Sequence, residues 1–217
     1  MTGKSTGKNT DAAPEDPAPQ TTHPSLTDGR TLVLVGLMGA GKTTVGRRLA
    51  RTLNMRFVDC DHEIEKAAGM SVSDIFDTFG EGEFRAGERR VIARLLDGPP
   101  KVLATGGGAF VDHETRALIK EKALSVWLDA DVTVLAERTG RRDTRPLLRG
   151  GDREAILADL ARRRAPFYGE ATLRVFSGDG PHEQVVTDIL AALKERHQSG
   201  ENQASREDPT GAEAGQA

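Results

Sequence analysis

Cysteine, long apolar runs and a dominant charge sign are all scarce in this 217-residue chain. The single cysteine, Cys60, excludes an intrachain disulfide framework and a cysteine-built metal site, and it suits a reducing compartment. No apolar run approaches the roughly 20 residues that span a bilayer, and the N-terminal stretch has no signal-peptide core, so the expected location is the cytoplasm. Lys and Arg number 30 against 33 Asp and Glu, a formal net charge of −3, so no basic field is available to attract nucleic acid or an anionic membrane. A small anionic ligand must be met by local arginines.

The ends also lack what a core needs. Residues 1–29 carry Pro14, Pro17, Pro19 and Pro24, with Leu26 the only large aliphatic residue after Met1; His197 to Ala217 holds no Val, Ile, Leu, Met or aromatic residue. Neither end can offset its ordering entropy by burial, so both are expected to be disordered tails around one domain over 30–196. Asp11, Glu15, Asp16 and the prolines argue against a basic amphipathic transit peptide.

The chain is organised around residues 31–49. Leu32 to Val35 form a short apolar, β-branched-rich run ended by Gly36, and Gly36-x-x-x-x-Gly41-Lys42-Thr43 then matches the phosphate-loop pattern without a mismatch. By average composition such a pattern arises by chance about one time in a hundred in a chain this long. The preceding strand and the helical spacing of Val45, Leu49 and Leu53 supply the context the motif requires. Its glycines let backbone N–H groups converge on a di- or triphosphate at a helix N-terminus, Lys42 supplies charge to the β and γ phosphates, and Thr43 supplies a hydroxyl for Mg²⁺.

Further apolar runs at Phe57–Val58, Val102–Ala104, Leu124–Leu128 and Leu173–Phe176 alternate with helical patterns. That is an α/β arrangement with a parallel sheet covered on both faces, and its ligands sit at the carboxyl ends of the strands. After the second strand come Asp59 and Asp61, two carboxylates pointing the same way while the chain stays extended, one for Mg²⁺ and one for a substrate hydroxyl. Read as structure alone, Asp61 is a helix N-cap. Ser71 and Asp74 form a capping box for a short helix, and a second helix follows from about Gly82 to Leu96. Arg85 and Glu88 are an i, i+3 pair near its start, either a surface ion pair or an anion-binding arginine with its orienting acid.

The third strand ends in Gly106, Gly107 and Gly108, an entropically costly run that close backbone approach to a ligand would explain. Trp127 reads as core. The segment from Arg141 through Arg142, Arg145 and Arg149 to Gly151 is arginine- and glycine-rich, either a solvated loop or a lid that brings an arginine to a transferring phosphoryl group. Arg164 alone is a surface residue; paired in space with Arg85 it would hold a carboxylate from two sides.

Taken together, Gly36-Leu-Met-Gly-Ala-Gly-Lys-Thr43, Asp59-x-Asp61, Glu83-Phe84-Arg85-x-x-Glu88, Gly106-Gly-Gly-Ala109, Arg145-Pro-Leu-Leu148 and Arg164-Ala-Pro-x-Tyr168 resemble the shikimate kinase family in order and approximate spacing. The resemblance covers roughly Thr31 to Leu193. It implies a three-layer α/β/α P-loop kinase fold with a five-stranded parallel sheet in order 2-3-1-4-5 and a lid at about 140–152. The implied activity is transfer of the ATP γ-phosphate to the 3-hydroxyl of shikimate, in aromatic amino acid biosynthesis. It further implies that Gly39, Ala40, Gly41, Lys42, Thr43 and Thr44 bind ATP, with Arg138 near adenine and Arg145 on the phosphates. Asp61 would bind ring hydroxyls and serve as base toward the 3-hydroxyl, while Arg85, Arg164, Gly107 and Gly108 bind shikimate. Mg²⁺ would be held by Thr43 and, through water, by Asp59. The expected partners are ATP and shikimate alone, without nucleic acid or membrane, and the expected state is a monomer.

Other kinases of small molecules, such as gluconate or nucleotide kinases, would share the phosphate loop, but the Asp59, Asp61, Arg85 and Gly-rich set argues against them. A regulatory GTPase finds a DxxG at Asp77–Gly80, yet that segment follows a helical pattern. None of Asn9, Asn54 and Asn202 is followed by the lysine of a guanine signature.

Overall fold

The computed structural model describes residues 24–140 and 152–207. A short helix α1 (Pro24–Thr27) leads into β1 (Thr31–Val35), α2 (Lys42–Thr52), β2 (Arg56–Asp59), α3 (Cys60–Ala68), α4 (Val72–Leu96) and β3 (Lys101–Ala104). There follow α5 (His113–Lys122), β4 (Ala123–Asp129), α6 (Val132–Gly140), α7 (Arg153–Tyr168), β5 (Leu173–Phe176) and α8 (His182–Glu207).

The five strands form one parallel sheet in order β2-β3-β1-β4-β5, as the resemblance implied. Every residue of β1 is buried, because it is the central strand with helices on both faces; it pairs Leu32 with Val102 on one side and Leu34 with Val126 on the other. The edge strands β2 and β5 are only partly buried. The core runs through Leu32, Leu34, Leu49, Leu103, Leu124 and Ile189, joining the sheet to α2 and α8.

Local signals explain most helix ends. Gly69, in the left-handed region at φ 70°, stops α3. Ser71 accepts from the Asp74 amide and donates to its carboxylate, the expected capping box. Within α4, Gly80 (φ 79°, ψ 174°) breaks the helical path, so the two expected helices are present and joined at a kink. Phe84, Val91, Ile92 and Leu96 form the buried face of the second.

Three expectations are corrected. The stretch before residue 30 is not all tail: Thr27 is buried, Leu26 packs on the core, and Asp28 pairs with Arg196 and His197 of α8. That helix runs to Glu207, past its expected end near Arg196 and into the stretch read as a tail. An already nucleated helix propagates through Glu, Gln, Ser and Ala without needing apolar residues. The residues after β2 are not extended either. Helix α3 starts at Cys60, Asp59 is its N-cap, and the i, i+2 alignment of Asp59 with Asp61 does not form.

Candidate active site

The carboxyl ends of β1, β2, β3 and β5 converge on one edge of the sheet. At the end of β1, Gly36 has φ 133°, and a Cβ there would stand 2.5 Å from the Leu128 carbonyl oxygen, so only glycine lets the loop leave the sheet here. The loop passes Gly39 and Ala40 and ends at Gly41, the left-handed N-cap of α2, which has no side-chain cap. The first N–H groups of α2 have no preceding helical turn to bond to, and a helix N-terminus of this kind suits an anionic ligand.

Lys42 is folded over the loop, its Nζ donating to the carbonyls of Gly36 (2.7 Å) and Leu37 (2.8 Å). The Thr43 hydroxyl donates to Asp59 Oδ2 at 2.8 Å, while Asp59 Oδ1 accepts from the Asp61 amide at 3.2 Å. Thus Asp59 and Thr43 present adjacent oxygens at the loop mouth. From the far side, Ser177 Oγ, just beyond β5, donates to the Ala40 carbonyl at 3.0 Å.

Arg138, on α6, donates from Nη2 to the Gly178 carbonyl at 2.6 Å, and its Nη1 is buried with no partner among the described residues. Beside it stands a residue the sequence reading missed, His182, whose Cε1 is 3.4 Å from the position a Gly41 Cβ would take. Burial, then the charges of Arg138 and Arg48, push its pKa down, which keeps the ring neutral. The signal was available: His182 follows the last strand, where ligand-facing residues of this fold gather.

The second half of the site gathers side chains from several elements. Asp61 Oδ1, in the first turn of α3, lies 2.9 Å from where a Cβ on Gly106 would stand. Arg85 donates to Glu88 at 2.6 Å and to Glu81 at 3.2 Å, so the orienting role expected of Glu88 has its geometry. Gly108 lies against the same guanidinium, and a Cβ there would come within 2.2 Å of Arg85 Nη2. Arg164 and Tyr168, one turn apart on α7, both donate to the Gly107 carbonyl, Arg164 at 2.8 Å.

Arg85, Arg164, Gly108, Glu81, Val111 and Asp112 line one pocket of about 240 Å³. The two arginines expected to act together therefore face one cavity. Asp112 is held below the usual carboxylate range: bonds from the Thr115 amide and hydroxyl outweigh its burial. Burial would favour a neutral Arg85, but Glu88 outweighs it and holds the guanidinium charged. The pocket abuts the phosphate loop at Gly107, where a Cβ would lie 3.3 Å from the Met38 amide nitrogen.

Cys60, wedged between the two aspartates, is buried, and burial followed by Glu88 and Asp61 pushes its thiol well above its ordinary pKa, so it offers no nucleophile. Trp127 is core, as expected, its ring 5.8 Å from that of Tyr168. Arg145 and the rest of the expected lid, including Arg141, Arg142 and Arg149, lie outside the described residues, which exclude 141–151.

A family model described as shikimate kinase matches residues 38–194. The shikimate kinase of Caulobacter vibrioides is 61% identical over 168 residues, covering 77% of this chain and 84% of that protein. The one from Zymomonas mobilis is 54% identical over 170 residues, with 78% and 97% covered. Among solved structures, shikimate kinase from Acinetobacter baumannii in complex with shikimate is similar with a TM-score of 0.74 at 39% identity, covering 77% of this chain and 94% of that one.

Proposed function

The chain belongs to the shikimate kinase family, and from that premise we propose how its own residues move the γ-phosphoryl group of ATP to the 3-hydroxyl of shikimate. The phosphates lie along Gly39, Ala40 and Gly41 and on the amides of Lys42, Thr43 and Thr44. Lys42 exchanges its loop carbonyls for phosphate oxygens, and Arg138 borders the base. Thr43 and Asp59 are two hard oxygen donors bonded to each other, a set that fits Mg²⁺, which takes most of its shell from phosphates and water. Held there with ATP, such an ion would supply charge neutralisation for the phosphates. Asp59 acts on it through water.

In the acceptor pocket, Arg85 and Arg164 hold the shikimate carboxylate from two sides, and the Gly107 and Gly108 backbone allows the ring to approach closely. Asp61 accepts hydrogen bonds from the ring hydroxyls and takes the proton of the 3-hydroxyl as its oxygen bonds to phosphorus and the bond to the ADP oxygen breaks. Because phosphoryl transfer is loose, positioning carries most of the rate. Arg145 reaches the transferring group.

The observation that supports this reading best is that two arginines line one cavity at Gly108 while Asp61 lies against Gly106 on the same turn, matching a polyhydroxylated carboxylate. We read the protein as acting as a monomer. Among the described residues no helix is long and apolar enough to cross a membrane, consistent with work in the cytoplasm.

The test is ADP release from Mg·ATP with shikimate, gluconate or a nucleoside monophosphate as acceptor. Turnover with shikimate alone is expected. Turnover only with another acceptor would sink the carboxylate clamp while leaving the phosphate loop intact.

A further inference from the structure

Glu88 is only 1% exposed, behind Arg85, which lines the acceptor pocket. One of its oxygens, Oε2, accepts from Arg85; the other, Oε1, is buried and has no hydrogen-bond partner among the described residues. That second oxygen lies 3.0 Å from the point where a Cβ on Gly106 would stand, and Asp61 Oδ1 lies 2.9 Å from the same point. Two carboxylate oxygens thus flank one glycine. Such a pair repels when both groups are charged and forms a hydrogen bond when one of them carries a proton.

The groups around Glu88 are mostly acidic. Its own helix supplies Arg85, which is shared with Glu81; α3 supplies Asp61 and the Cys60 thiol; the turn before α5 supplies Asp112. Arg164, on α7, is the second cation of the pocket. Burial outweighs the attraction of Arg85 and holds the Glu88 carboxyl above the usual glutamate range.

A bound carboxylate changes that balance in one direction. It draws on the same Arg85 that compensates Glu88 and adds a negative charge to a poorly solvated pocket, so the affinity of Glu88 for a proton rises. We propose that Glu88 takes up one proton from solution when the carboxylate substrate binds, directing Oε1–H toward Asp61, so that the pocket admits another anion without gaining net negative charge. The inference rests on the carboxylate clamp proposed above. One proton moves from buffer to Glu88 Oε1, and no bond of the substrate changes. By linkage, the substrate binds more tightly as pH falls through the titration of Glu88 in the complex toward its titration in the free protein, and the dependence vanishes above that window, where neither state holds the proton, and below it, where both do.

The test is calorimetry of shikimate binding to the full chain without nucleotide, in buffers of different ionisation enthalpy between about pH 5 and pH 8. The expected result is net proton uptake, approaching one per site at its maximum. In Glu88→Gln, a neutral isostere of the protonated acid, binding should persist while uptake disappears. Infrared difference spectra of the wild-type protein with ¹³C-labelled glutamate give an independent reading, with a protonated glutamate carbonyl band expected on adding shikimate. Binding without uptake at any pH, uptake that survives in Glu88→Gln, or absence of the band would overturn the inference and leave the clamp standing. Absence of shikimate binding in every buffer would overturn the clamp itself, and the inference with it.

Discussion

The nucleotide half of the site comes mostly from one uninterrupted stretch, Gly36 to Thr44, whereas the acceptor half takes Asp61 from α3, Arg85 and Glu88 from α4, Gly106 to Gly108 from the turn after β3, and Arg164 and Tyr168 from α7. The first half offers mainly backbone, set by where glycine alone is sterically allowed. The second offers side chains that hold one another: Glu88 and Glu81 on Arg85, Arg85 against Gly108, Arg164 and Tyr168 on Gly107. Damage should therefore stay local in the nucleotide half and spread in the acceptor half.

The largest expected effect is in the nucleotide half. Lys42→Ala removes a charge proposed to meet the transferring phosphoryl group, so kcat should fall by about a thousandfold or more, with shikimate affinity measured by calorimetry unchanged. Weaker shikimate binding in that variant would mean that the two halves are not independent.

Arg85→Ala should come next, and it should show the spreading. Shikimate affinity is expected to drop about a hundredfold while ADP affinity holds. Folding stability should also fall by about 3 kcal/mol, because Glu88 is left buried beside a missing partner. Urea denaturation checks the second effect, and an unchanged midpoint would show that Glu88 does not depend on Arg85.

Gly108→Ala tests whether backbone can act through a side chain. Its Cβ displaces the Arg85 guanidinium, so the shikimate KM should rise about tenfold with kcat and the ATP KM nearly constant. The smallest effect is expected from Glu81→Gln. Glu81 is an exposed acid on the pocket-facing edge of Arg85, where it competes with a substrate carboxylate, so its neutralisation should tighten shikimate binding about two- to threefold. A weaker complex would show instead that Glu81 helps to position Arg85.

The same contrast explains what could be read from the sequence. The sheet was legible because buried parallel strands are near-continuous apolar runs, as Leu32–Val35 and Val102–Ala104 are. The phosphate loop was legible because its spacing along the chain is its geometry. Arg85, Arg164 and Asp61 could be singled out as candidates from residue type and place, but only the resemblance to known kinases gave them one site, since nothing in their own spacing says that α3, α4 and α7 meet. The Asp59 cap was assigned to Asp61 because helix onset at Cys60 has no strong local mark. The unpartnered oxygen of Glu88 arises from burial between elements far apart in the chain, and a pattern of residue types does not encode it.

One contact gives the molecule a time order. The hydrogen bond from Ser177 to Ala40 spans 137 residues and ties the loop that grips the nucleotide to the last strand of the sheet. Closing so long a span comes late in folding, and during synthesis its donor follows the loop out of the ribosome by most of the domain. A nascent chain thus displays its nucleotide motif long before it has the buttress behind it. Competence for the phosphate donor arrives only when β5 docks at the edge of the sheet.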